Sequence, residues 1–213
     1  MFTGIVRGRG TLVAVDTQSA GTRFRIRFPE TLLDGLETGA SVAVDGVCLT
    51  VVRFSGTDVD FDAVRGTLDV TALGDRRVGD AVNLERSAAY GAEIGGHVVS
   101  GHVSTTAELT GLLLEGEDAH IEFRVPPEWS QYIFLRGFLA VDGASLTVAR
   151  IDEAQGIYRI NLIPETIRTT CMGRYRIGDR LNIEVEHQTR VLVDVVGRTI
   201  RAVMAERERS SDC

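Results

Sequence analysis

Apolar and polar residues alternate over short stretches along most of the chain. Arg23 to Phe28 reads RFRIRF, and Val59 to Val64 and Val82 to Arg86 show the same period of two that a half-buried strand requires. Thr3 to Val15 is predicted as a further strand. Ser41 to Phe54 is rich in valine and interrupted by Asp45-Gly46, a dipeptide suited to a tight hairpin turn, so two paired strands are expected there. Pro29 and Pro126 stand where a helical turn can begin, and TLLDGL and EWSQYIFL after them are short helices at best. Short strands punctuated by Gly and Asp predict a sandwich or a barrel.

The tail follows another period. From Val191 to Arg207 the apolar residues Val193, Val196, Ile200 and Val203 recur at the spacing of a coiled-coil seam. Thr189 is the expected N-cap, and Gly197 costs about 1 kcal/mol relative to alanine inside a helix. A lone helix of this length is marginal in water, so it must pack on something. It either covers a barrel of its own chain or seats against the same helix from neighbours. The narrow stripe favours the second.

The elements occur twice. VDGVCLTV at Val44 to Val51 returns as VDGASLTV at Val141 to Val148, an offset of 97 from Asp45 to Asp142. Phe28-Pro29 matches Val125-Pro126, and Gly4-Ile5-Val6 matches Gly101-His102-Val103, at the same offset. VGDAVNLE from Val78 matches IGDRLNIE from Ile177 at an offset of 99. Two residues have been added between, and the polar stretch Asp152 to Gly156 is the expected place, because loop closure grows costly only slowly with length. A unit of roughly 95 residues can bury enough surface to fold alone. The expected division is 1–96, 97–188 and a helical tail 189–213.

Composition narrows the partners. The net charge of −7, with no basic run, argues against nucleic acid, and no apolar run approaches a membrane span. MFTGIVRGRG lacks the apolar core of a secretory signal, so a cytoplasmic protein is expected. Cys48, Cys171 and Cys213 are few and lack CxxC spacing, which predicts neither a disulfide framework nor a metal site. Cys48 as a small buried thiol is the plain reading.

Candidate chemistry lies where the copies agree and where they differ. Thr50 and Thr147 agree, as do Thr67 and Thr166; strand propensity accounts for threonine, but hydroxyls at equivalent places also suit a polyol or a heterocycle edge. His102 stands opposite Ile5, Cys48 opposite Ser145, and Glu165 opposite Gly66. Two similar sites with unlike polar groups suit a reaction between two identical molecules. Gly95 to His102 could be mistaken for a phosphate loop, but it lacks the Gly-Lys-Ser/Thr ending, and His97 and His102 do not have HExxH spacing. An isolated histidine is usually structural, yet a neutral imidazole at His102 could move protons near neutral pH.

MFTGIV, LDGLETGASV, the VDGVCLTV and VDGASLTV pair, EIGGHVVSGHV and LIPETI together resemble the riboflavin synthase family from Met1 to the C-terminal helix. The resemblance implies an all-β fold of two similar six-stranded Greek-key barrels from a tandem duplication, followed by a helix that assembles a homotrimer. It implies that two molecules of 6,7-dimethyl-8-ribityllumazine exchange a four-carbon unit, giving riboflavin and 5-amino-6-ribitylaminouracil, without metal or organic cofactor. The active site would form between subunits, and association with a lumazine synthase belongs to the same set of expectations. The first barrel would hold its lumazine with Cys48, Leu49, Thr50, Asp62, Ala63, Val64 and Thr67, and with Arg136 from the second half. The second would use Ser145, Leu146, Thr147, Leu162, Ile163, Pro164, Glu165 and Thr166, with Gly4, Ile5, Val6 and Gly101, His102, Val103 lining the corresponding floors. Ser41, Cys48, His102 and Glu186 are the groups it sets nearest the chemistry. The chain departs from the family at Arg136, usually lysine, at Glu186, usually aspartate, and at Gly66, usually glutamate. The rival reading is a non-catalytic lumazine- or flavin-binding protein of the same fold. An oxidoreductase flavin domain would need a nicotinamide-binding half, and here the second half repeats the first.

Overall fold

The computed structural model describes residues 1–116 and 118–211, so Cys213 lies outside the described residues. The first half contains strands β1 (Gly8–Gln18), β2 (Gly21–Arg27), β3 (Ser41–Val44), β4 (Val47–Ser55), β5 (Asp58–Val64) and β6 (Ala81–Arg86), with helix α1 (Arg65–Val70) after β5. The second contains β7 (Thr105–Leu113), β8 (His120–Arg124), β9 (Phe138–Val141), β10 (Ala144–Asp152), β11 (Ile157–Asn161) and β12 (Arg180–Val185), with α2 (Pro164–Thr169) after β11. Each half closes into an antiparallel barrel, in the order β1-β2-β5-β4-β3-β6 and, equivalently, β7-β8-β11-β10-β9-β12.

The local chemistry explains both closures. Asp45-Gly46 and Asp142-Gly143 all have positive φ, at 45° and 78° and at 43° and 81°, the conformation of a two-residue hairpin turn. Register shifts fall at matching places, between Leu12 and Ala14 and between Leu109 and Gly111, and again at Val51/Arg53 and Val148/Arg150. Such bulges bend a strand and let a twisted sheet curl on itself. Gly56-Thr57 joins β4 to β5 whereas Glu153 to Gly156 joins β10 to β11, which locates the two added residues. The stretches after Pro29 and Pro126 are short 3-10 helices, one turn at Glu30–Leu32 and two at Pro127–Tyr132.

Each barrel has its own apolar core. Phe24, Ile26, Phe61 and Leu84 fill the first, and Ile121, Phe123, Ile160 and Leu181 the second. A third, small cluster of Phe2, Ala43, Val99 and Ala140 sits at the joint between them. Burying a side chain such as Phe2, 2% exposed, contributes about 2 to 3 kcal/mol.

One expected strand is shorter than its pattern suggested. Residues before Gly8 do not join β1; Phe2 instead pairs with Val99, its N–H donating to the Val99 carbonyl at 2.7 Å and its carbonyl accepting from the Val99 N–H at 3.0 Å. The leader of each half then crosses to the other half's barrel. Val6 belongs to the second core, and Val103 packs against the first. A cut between 96 and 97 would therefore separate the two leaders from each other.

Helix α3 (His187–Ser211) starts two residues before the expected cap. Its first turns are tied down where the Tyr132 hydroxyl donates to Asp194 at 2.6 Å and Arg190 lies over the Trp129 ring at 5.1 Å. Beyond them Val196, Ile200 and Val203 are exposed, while Val193 is half-buried. Among the described residues no helix is long and apolar enough to cross a membrane.

Candidate active site

Alternation along β4 and β10 sets the sites. Cys48 and Thr50 point away from the barrel interior while Leu49 between them is buried in the core; Ser145 and Thr147 stand in the same way on β10. A leader lies across each strand. Ser145 N–H donates to the Gly4 carbonyl at 2.7 Å, and Cys48 N–H to the Gly101 carbonyl at 2.9 Å. Both glycines have positive φ, +72° and +82°, and an added Cβ would come within 2.5 Å of Ser145 Cβ or Cys48 Cβ. Only glycine satisfies both demands.

A buried carboxylate fixes each leader. Glu85 accepts from Thr3 N–H and hydroxyl, both at 2.7 Å, and from Gly4 N–H at 3.1 Å. Glu184 accepts from Ser100 N–H at 2.7 Å, Ser100 hydroxyl at 2.8 Å and Gly101 N–H at 3.0 Å. Burial pushes the Glu85 carboxyl above its usual range, and the Thr3 and Gly4 donors pull against it.

Gly4, Ile5 and Val6 thus face the second barrel. With Ser145, Leu146, Ile163, Glu165 and Thr166 they line a cavity of about 390 Å³, within the range of small-ligand sites. The Glu165 carboxylate is gripped by Arg168 through contacts of 3.0 and 2.6 Å, and this guanidinium holds it below the usual carboxylate range. Pro164 opens α2, and Leu162 is buried in the core, so its side chain does not face the cavity.

A histidine stands behind Ser145. His97 Nδ1 is 2.6 Å from Ser145 Oγ, and its ring stacks on Phe138 at 5.3 Å between centroids. The histidine is 8% exposed, and burial pushes its pKa down while Glu186 nearby raises it. A neutral imidazole hydrogen-bonded to a hydroxyl is the arrangement of a base with its proton relay. Gly96 permits the approach, since a Cβ there would meet Ser145 Cβ at 2.7 Å. The sequence signal was the Gly95-Gly96-His97 run.

Gly101, His102 and Val103 face the first barrel. Gly101 covers Cys48, and His102 is exposed, its backbone N–H donating to Ser100 Oγ at 3.2 Å. Ser41 opposes Thr50 across the β3–β4 ladder, and its carbonyl accepts the Ser87 hydroxyl at 2.9 Å. Thr67 is half-buried on α1 and Val64 exposed just before it, whereas Ala63 lies in the core. Asp62 is engaged by Arg23, both contacts 2.7 Å, which holds its carboxyl below the usual range. A Cβ at Gly66 would meet nothing within 4 Å, so the space that Glu165 fills in the second copy is open here.

Two further expected site residues flank strands of the second barrel, Glu186 after β12 and Arg136 before β9. Glu186 caps α3, accepting from Gln188 and Thr189 N–H at 3.1 and 2.7 Å and from the Thr189 hydroxyl. Its carboxylate caps the helix start, where Thr189 is the expected residue, and still lies near enough to His97 to raise that pKa. Arg136 sits on the second barrel before β9, at φ +65°, with its N–H donating to Val148 carbonyl at 2.8 Å.

The lumazine binding domain family matches this chain twice, over residues 3–87 and 100–186. Riboflavin synthase of Escherichia coli (strain K12) is 44% identical over 203 residues, covering 95% of this chain and 94% of that one. Riboflavin synthase of Chlamydia pneumoniae is 41% identical over 200 residues, covering 94% and 97%. Among solved structures, LumP complexed with riboflavin superposes with a TM-score of 0.81 at 29% identity, covering 88% of this chain and 100% of that one. LumP complexed with 6,7-dimethyl-8-(1'-D-ribityl) lumazine gives a TM-score of 0.79 at 28% identity over the same shares. With two paired barrels, two leader-covered strands and relatives matching it nearly end to end, the chain belongs to the riboflavin synthase family.

Proposed function

We propose that the chain catalyses the dismutation of two 6,7-dimethyl-8-ribityllumazine molecules, one giving up a four-carbon unit to the other, to form riboflavin and 5-amino-6-ribitylaminouracil. The observation that carries this reading is the duplicated site with unlike polar groups, Cys48 and His102 at one and Ser145 backed by His97 at the other. One lumazine must lose a C7-methyl proton and the other must accept carbon. Ser145 lines the cavity and burial favours the neutral form of His97 behind it, which supports this pair as the acceptor of the proton. Holding two rings face to face can be worth roughly 7 to 11 kcal/mol, so proximity dominates and proton transfer adds to it.

The same reading makes the active site intermolecular. Phe134, Leu135, Phe138 and Ile163 leave apolar surface exposed on the second barrel, and α3 leaves a stripe uncovered. A homotrimer in which the first barrel of one subunit meets the second barrel of the next would cover both and would carry Arg136 to the first-barrel ligand. Deleting the residues after Gln188 should then give monomers by light scattering; an unchanged trimer would count against the seam.

Activity is tested by mixing the purified protein with 6,7-dimethyl-8-ribityllumazine alone. Riboflavin should appear at half the lumazine consumed. Tight binding without turnover would instead select a non-catalytic binding protein of the same fold.

A further inference from the structure

The joint between the barrels buries more negative charge than it pairs. Asp45 and Asp142 occupy equivalent hairpin turns, both 0% exposed, and the Gly46 and Gly143 backbones pack so closely that a Cβ on either would come within 3 Å of the other. Asn83 Nδ2 donates across the joint to the Asp142 carbonyl at 2.9 Å, and Asn182 Nδ2 to the Asp45 carbonyl at 2.8 Å. Among the described residues, Arg76 is the cation within ion-pair distance of these carboxylates, its Nη2 lying 2.7 Å from Asp45 and 4.0 Å from Asp142. In the second copy the position of Arg76 is Tyr175, whose hydroxyl contacts Asp142 Oδ2 at 2.5 Å.

Two carboxylates facing one guanidinium leave an unpaired buried charge, which costs more than keeping a proton. The two acids are not equal. Asp45 accepts from Arg76 and from Asn83 N–H, whereas Asp142 has Tyr175 and Asn182 N–H, with the Asp45 carboxylate beside it. Asn182 N–H bonds Asp142 Oδ1, so a proton belongs on Oδ2, in the contact with Tyr175. We propose that Asp142 is kept as a neutral carboxylic acid in the joint, and that its ionisation loosens the joint together with the leaders that wall both sites.

The connection to the leaders is short. Asn83 and Glu85 share β6, and Asn182 and Glu184 share β12, so the strands that grip the joint also hold the leaders. Burial and the Asp45 charge push Asp142 from 3.8 up to about 7, against the pull of Arg76. Asp45 is raised as well, Tyr175 is raised far enough to stay a phenol, and the buried Cys171 thiol is pushed up to about 12. Asp80 adds repulsion on Asp45, and Arg9 acts from further out on Cys171.

The sign of the linkage is fixed by a folded pKa above the unfolded one. Asp142 stabilises fully below its unfolded value, and that stability is lost as pH rises towards about 7. Infrared spectra of the full chain should show a protonated carboxyl band near neutral pH that vanishes on alkalinisation and is missing in Asp142→Asn. Urea midpoints should fall between about pH 4 and about pH 7 in the wild type and lose most of that slope in Asp142→Asn. Tyr175→Phe removes a hydrogen bond that is stronger to the ionised carboxylate than to the acid, and should move the infrared transition to higher pH, which keeps the test available if Asp142→Asn does not fold. Absence of the neutral-pH carboxyl band, or an unmoved transition in Tyr175→Phe, would overturn the proposal.

Discussion

The two barrels share strand order, hairpin turns and bulge positions, yet the groups at their proposed sites have diverged. Cys48 faces Ser145, Ser41 faces Phe138, and Gly66 faces Glu165 across the repeat. The buried positions stayed apolar because closure of each barrel depends on them, whereas a side chain on the outer face of β4 or β10 can change without disturbing a core. Duplication of a scaffold therefore leaves two binding sites free to take different roles in one reaction.

The comparison can be broken most strongly at the leaders. Gly4→Val and Gly101→Val each place a Cβ against Ser145 or Cys48 on left-handed backbone, and each should cost about 3 kcal/mol or more in urea denaturation. Equal losses fit the symmetric exchange, and tolerance of either substitution would refute it. Next in size, His97→Gln should lower turnover about 100-fold with little change in KM, whereas Cys48→Ser, which makes the first site resemble the second, should cost less than about 10-fold. Because burial lowers the His97 pKa, wild-type turnover should survive acidification below the ordinary histidine range, and His97→Gln should abolish that acid limb. Glu85→Gln and Glu184→Gln each weaken three bonds to a leader and should destabilise by about 1.5 to 3 kcal/mol. Unequal values would show which leader carries more of the joint. The smallest effect is expected at Gly66→Glu, which should tighten lumazine at one site about five-fold, near 1 kcal/mol, by calorimetry.

Much of this was legible in the chain. RFRIRF announces β2, Asp45-Gly46 and Asp142-Gly143 announce their hairpins, and the change of offset from 97 to 99 announces a longer loop between β10 and β11. The helices α1 and α2 were missed because RGTLDV and PETIRT are too short to display a helical period. Thr3 to Val6 looked like the start of β1, since an extended leader and a strand edge have the same pattern of residues. That Glu186 also caps α3 is not legible in the residues, because a carboxylate beside a helix start has no sequence mark for the bonds it accepts.

Two like barrels in tandem and a helix of different character can be read from the residues, because alternation, turn residues and repetition are local properties that survive in one dimension. Folding in three dimensions sets which barrel each leader covers, puts His97 behind Ser145, and brings two aspartates to one arginine. Those relations join residues as far apart as Asp45 and Asn182, separated by 137 positions, and a contact made through space has no period to betray it.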